Sequence, residues 1–134
     1  MIQIEKLEHV MRDLTREKGP FTLFGLFHRE GAPYDKWDLV VSASWLEEGD
    51  VNALRELVEK LTAIADTSEM VSFSRVVPIS PDDPGVAAVL ATHPVEDGRI
   101  VLRDVTLFEM DMAEAYILRA MRPPAPALSG TEGD

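Results

Sequence analysis

Residues 21–45 constrain this chain more than any other stretch. They read Phe-Thr-Leu-Phe-Gly-Leu-Phe-His-Arg, then a polar connection holding Gly31, Pro33 and Asp35, then Trp-Asp-Leu-Val-Val-Ser-Ala-Ser-Trp. Aromatic and β-branched runs on either side of a turn-rich segment are what paired antiparallel strands need. Side chains alternate between faces along a strand, and directly paired residues share a face. With the connection centred on Pro33, Phe27 is expected opposite Leu39, Gly25 opposite Val41, Leu23 opposite Ala43 and Phe21 opposite Trp45. The other face then holds Thr22, Phe24, Leu26 and His28 against Ser44, Ser42, Val40 and Asp38. The first strand is apolar on both faces, which predicts a central place in the sheet.

The flanking segments supply helices to cover this hairpin. In residues 2–18, Ile4, Leu7, Met11 and Leu14 recur at helical spacing, with Val10 widening the stripe, and Gly19-Pro20 stops the helix. The stripe is expected to lie on the Phe21, Leu23 and Phe27 face. A second helix is predicted over about residues 51–65, capped by Asp50 and burying Val51, Leu54, Leu57, Val58, Leu61 and Ile64. Residues 71–79 alternate as a third strand, and Pro78, which cannot donate to a ladder, places it at or near an edge. Strand, helix and strand then form a possible βαβ crossover.

Residues 84–92 suit a short helix burying Val86, Val89 and Leu90. Its start is either Ser80 with Pro81 or Asp83 with Pro84, and His93-Pro94 ends it. Residues 99–102 and 105–108 read as two strands, or as one strand interrupted by a bulge at Arg103-Asp104. Residues 111–121 have strong helix propensity, yet 115–119 suit a last strand equally well. The Pro- and Gly-rich segment 123–134 cannot build a core and is expected to be a disordered tail. The resulting expectation is a single α+β domain over residues 1–122, with a mixed sheet of about four to six strands.

A chain of 134 residues is one ordinary domain. The absence of cysteine excludes a disulfide framework, a thiolate metal site and a cysteine nucleophile. No stretch approaches a membrane span and no leader pattern opens the chain, so a soluble, cytoplasmic protein is expected. The net charge is −11, or −9 once Glu132 and Asp134 of the tail are set aside. Such a surface disfavours nucleic acid as a partner.

Motifs for phosphate loops, dinucleotide fingerprints, zinc proteases, calcium loops and nucleophile elbows are absent. The strongest constellation is His28 opposite Asp38, with Tyr34, Asp35, Arg29 and Lys36 near the same mouth. A carboxylate beside an imidazole fixes its tautomer and raises its pKa, which suits a general base or a metal ligand. The competing reading is an ordinary cross-strand pair. Glu109, Asp111 and Glu114 form a second group that could offer oxygen ligands to Mg²⁺, or could simply be solvated acids. His9, His28 and His93 are scattered, with no local pair to suggest Zn²⁺. Arg99 and Arg103, with Arg75, could hold an anion or balance nearby acids.

No cofactor is indicated. The expectation is a non-catalytic interaction or assembly protein, forming a homo-oligomer or holding a protein partner through Phe24, Leu26 and Val40. The alternative is a small enzyme or ligand-binding domain built on His28, Asp38 and Tyr34. A weaker option, an acidic nucleic-acid mimic, requires an unbroken acidic stripe.

Overall fold

The computed structural model describes residues 2–33, 35–46, 51–96 and 98–123. Its elements run α1 (Ile4–Lys18), β1 (Leu23–Arg29), β2 (Trp37–Ser42), α2 (Val51–Ile64), α3 (Thr67–Val71), β3 (Phe73–Pro78), α4 (Pro84–Thr92), β4 (Ile100–Leu107) and β5 (Met110–Ala120). Five strands form one mixed sheet in the order β3-β2-β1-β5-β4. β1 is central, as its two apolar faces require. β2 and β3 are parallel, joined through α2 and α3, and every other pairing is antiparallel. This is the expected α+β class. The Asp50 cap, Tyr34 and the segment 124–134 lie outside the described residues.

The hairpin register differs by one position from the expected one. Leu23 pairs with Ser42, Gly25 with Val40, Leu26 with Leu39 and Phe27 with Asp38. The connection closes by two successive turns, Ala32 N–H to Arg29 C=O at 3.1 Å and Lys36 N–H to Pro33 C=O at 2.9 Å. The pairing axis therefore falls between Ala32 and Pro33 rather than on Pro33. A shift of one residue moves every partner to the opposite face. Phe24, Leu26, Leu39 and Val41 thus form the floor under α1 and α2, together with Phe21 and Leu118. Leu23, Phe27 and Val40 face the other way, against Val86 and Val89 of α4.

The two faces are covered unequally. α1 contributes Ile4, Leu7, Val10 and Leu14, and α2 contributes Ala53, Leu57 and Leu61. Val51, expected in that stripe, is 63% exposed, and Ala53 occupies the inner position. On the opposite face the nine-residue α4 is the one covering helix among the described residues. It starts at Asp83, whose side chain accepts from Gly85 N–H at 2.7 Å with Pro84 next to it. Gly25 belongs to this face, where a Cβ would lie 2.9 Å from Phe27 Cζ. The glycine leaves room for the Phe27 ring to fold back over the strand.

Of residues 111–121, all but Met121 are strand, within β5. β4 and β5 are joined by a two-residue turn, Phe108 (φ 56°) and Glu109 (φ 61°). Two consecutive left-handed residues match a type I′ hairpin, whose twist suits antiparallel strands. β4 is one strand whose register to β5 keeps the same offset on both sides of Asp104, so neither strand gains a residue on the other there. Asp104 instead takes a left-handed φ of 53°.

A buried carboxylate ties the start of α1 to α3. Glu69 is 7% exposed and accepts from Lys6 Nζ at 2.6 Å, Asp66 N–H at 2.9 Å and Gln3 N–H at 3.1 Å. Asp66 reciprocates by capping Glu69 N–H. The Lys6 hydrogen bond, then the Asp66 N–H, holds the Glu69 carboxyl below its ordinary pKa. A lowered folded-state pKa gives stability that is complete above the ordinary carboxylate value, about 4.3. It is lost as pH falls through the folded value. Glu69→Gln is therefore expected to melt lower than wild type at pH 7, with the gap closing as both are acidified towards about pH 3. Melting curves in pH steps check this, and a gap that widened on acidification would refute it.

Candidate functional site

The sheet separates the two residues expected to form a catalytic pair. Asp38 pairs with Phe27 on the α4 side, so His28, one position on, belongs to the α1 side. The His28 ring lies 5.1 Å from the Trp37 ring, and its Nδ1 sits 2.9 Å from Lys36 C=O. Trp37 in turn lies 5.7 Å from Tyr116. His28 thus serves as a half-buried packing residue at the hairpin mouth. A site with His28 and Asp38 acting together is not formed.

Asp38 has a different role. Its Oδ2 accepts from Arg29 Nε at 2.8 Å and Arg75 Nη2 at 3.2 Å. The carboxylate is 3% exposed, while the two arginine side chains are 36% and 51% exposed. One acid therefore ties β1, β2 and β3 together at one end of the sheet. Asp38 Oδ1 is buried without a hydrogen-bond partner among the described residues.

The acids in the β4–β5 turn and at the start of β5, near this same end of the sheet, do not converge. Glu109 is in the turn, Asp111 accepts from Thr106 Oγ1 at 2.9 Å, and Glu114 meets Arg103 Nε at 3.4 Å. Among the described residues, no group of three or more acidic or imidazole side chains could hold a metal ion. Arg99 engages Glu5 and Glu8 of α1, so the three arginines do not form one anion site. His9 lies near Asp13, and His93 Nδ1 meets Thr92 Oγ1 at 2.8 Å. Bases also interrupt the acidic helix surfaces, as Lys18 meets Glu56 and Lys60 meets Glu17.

Phe24 and Leu26 are fully buried and Val40 is 7% exposed, so the apolar surface expected to bind a partner is core. Two other features remain open. The first is a groove of about 820 Å³ between α4 and the β4–β5 turn, floored by Ile79, Val89, Leu107 and Phe108. His93, Thr106 and Glu109 stand on its rim. Phe108 holds a left-handed backbone that bulky residues rarely adopt. Its ring packs edge-on against Phe27 at 5.8 Å, and a Cβ on Gly85 would meet it at 2.4 Å.

The second is the outer edge of β4. This eight-residue strand ends the sheet, and no strand among the described residues pairs with its free side. The opposite edge, β3, is shorter and closes on Pro78. β4 carries no proline. Val101 on β4 is 45% exposed and Met110, across the turn, is 38% exposed. The residue alternation of 99–108 identifies strand character, but only the sheet order shows which strand is left at the edge. Among the described residues, no helix is long and apolar enough to cross a membrane. Compared with family models, curated proteins and solved structures, the chain shows no significant match to any of them.

Proposed function

We propose that this chain is a small, soluble, non-catalytic interaction protein that holds its partner by adding a strand to β4. The observation that carries this reading is the long, proline-free β4 edge, with exposed Val101 beside a row of backbone groups that no strand among the described residues pairs. Such an edge is a template for strand addition, in which main-chain hydrogen bonds give affinity and alternate side chains give specificity. The separation of His28 from Asp38 removes the best catalytic pair and leaves this reading ahead.

Lysine on an edge strand opposes such pairing. Val101→Lys is therefore expected to abolish self-association or partner retention by the immobilised chain. Its effect on folding stability should stay within about 0.5 kcal/mol, because Val101 lies on the surface. Sedimentation and pull-down from source lysate, wild type beside Val101→Lys, test both halves. If no association depends on position 101, the interaction reading fails.

Ligand binding is a second reading, favoured by the groove beside α4, whose volume falls in the range of small-molecule sites. A ligand at about a hundred times its dissociation constant would stabilise the chain by roughly 2.7 kcal/mol. Ala88, exposed on the groove wall, can be enlarged without entering the core. A metabolite that raises the melting midpoint of wild type but not of Ala88→Phe supports this reading, and a panel without such a compound counts against it.

A further inference from the structure

We infer that the strand received by β4 is β4 of a second copy, antiparallel to the first, with the two-fold axis between Arg103 and Asp104. This inference rests on the interaction reading above and names the partner.

The argument begins with which way the β4 side chains face. Along a regular strand, residues two apart share a face throughout. In β4, Ile100 and Leu102 belong to the α4 side, but so do Val105 and Leu107. Val101 and Arg103 face the α1 side, paired with Tyr116 and Glu114. The alternation is therefore reset between Arg103 and Val105, where Asp104 takes its left-handed φ of 53°. β5 makes the matching adjustment at Ala113, which the β1–β5 register skips between Glu114 and Met112.

This reset decides how β4 can pair with itself. Paired residues must share a face. A regular strand satisfies that under two-fold symmetry only if the axis passes through a residue, which then faces its own copy. On Arg103 or Asp104 this would set like charges opposite each other, a destabilising arrangement. With the reset, the matched solution puts the axis between these residues. Ile100 then faces Leu107 of the second copy, Leu102 faces Val105, and Val101 faces Thr106. Arg103 faces Asp104, twice by symmetry. Every apolar position on the α4 side meets another apolar position, and the charged pair is complementary. Arg103 is 74% exposed and available for this contact beyond its 3.4 Å approach to Glu114. The left-handed residue at the strand centre thus fits the strand to its own copy.

The test uses the full chain. Sedimentation from about 1 to 100 μM should show a concentration-dependent dimer. Arg103→Glu and Asp104→Lys each create two like-charge contacts, so each should weaken the dimer at least about tenfold. Mixing the two variants sets the introduced glutamate opposite the introduced lysine, and keeps Asp104 of one copy opposite Arg103 of the other. The mixture is expected to restore a heterodimer. Because the chain has no cysteine, disulfides report the register directly. Arg103→Cys mixed with Asp104→Cys should cross-link faster than either variant alone. Circular dichroism and melting verify that each variant is folded, and the cysteine experiment does not depend on a charged residue adopting the left-handed backbone.

A monomer at every concentration overturns the inference. So does a dimer that ignores both charge reversals and shows no preference for the mixed disulfide. A monomer that still retains a lysate protein in a Val101-dependent manner rejects the second copy and leaves the interaction reading standing. A monomer with no such partner rejects both.

Discussion

Arg29→Ala combined with Arg75→Ala is expected to destabilise the fold by about 3–5 kcal/mol, the cost of leaving a buried carboxylate without its counter-charges. Asp38 is almost completely buried on β2, and both arginines reach the same oxygen, Oδ2. Either guanidinium alone still partners the acid. Arg75→Ala removes a half-exposed group and should cost under about 1 kcal/mol. Arg29→Ala should cost somewhat more, because its contact is shorter and its side chain less exposed. The double variant should therefore exceed the sum of the singles, as expected of residues that share one partner.

Urea unfolding of wild type, both single variants and the double variant measures this coupling. Additive losses would mean that Asp38 finds another partner when the arginines are gone. Changing all three residues together to apolar ones of similar volume should recover most of the loss, since the buried charge would then be absent. The cluster is a strand clamp, and its energetics come mainly from the burial of its acid.

Much of the fold was legible because it follows from periodicity. Of the α1 stripe, Ile4, Leu7, Val10 and Leu14 are buried as spaced and Met11 is half-buried beside them, and the two apolar faces of β1 required a strand with neighbours on both sides. Asp83-Pro84 marked the start of α4, one of the two starts the local sequence allowed. The candidate site was less legible because it depended on parity. Centring the hairpin connection on Pro33, instead of between Ala32 and Pro33, was enough to put His28 beside Asp38 on paper and across the sheet in space. α3 had no stripe long enough to announce it, although Asp66 and Glu69 carry the spacing of a capping box. The β4 edge could not be identified from local pattern, since the sheet order that exposes it depends on distant pairings. The left-handed backbone at Asp104 is likewise visible only in three dimensions, although aspartate is among the few residue types that tolerate it.

The unequal cover of the sheet leads to the second large effect. Phe24→Ala should cost about 3–5 kcal/mol, and Phe27→Ala the lower end of that range. Both rings are fully buried on the central strand, so exposure does not distinguish them. Their surroundings do. Phe24 lies under two long helices and packs edge-on against Phe21 at 4.9 Å. Phe21 is held in turn against Trp45 at 5.1 Å, and Trp45 Nε1 donates to Gly19 C=O at 2.9 Å. A cavity there is bounded by side chains already fixed on every side and cannot readily collapse. Phe27 instead packs against Phe108, which is half-buried beside the open groove and sits on a two-residue turn. That ring can move into part of the vacated space, and the penalty depends on how well a site collapses. Urea unfolding of the two variants gives the ordering directly, provided their denaturant slopes match wild type. If Phe27→Ala proves as costly as Phe24→Ala, the α4 side is packed as rigidly as the α1 side, and the groove beside Phe108 loses its claim to be an adaptable binding surface.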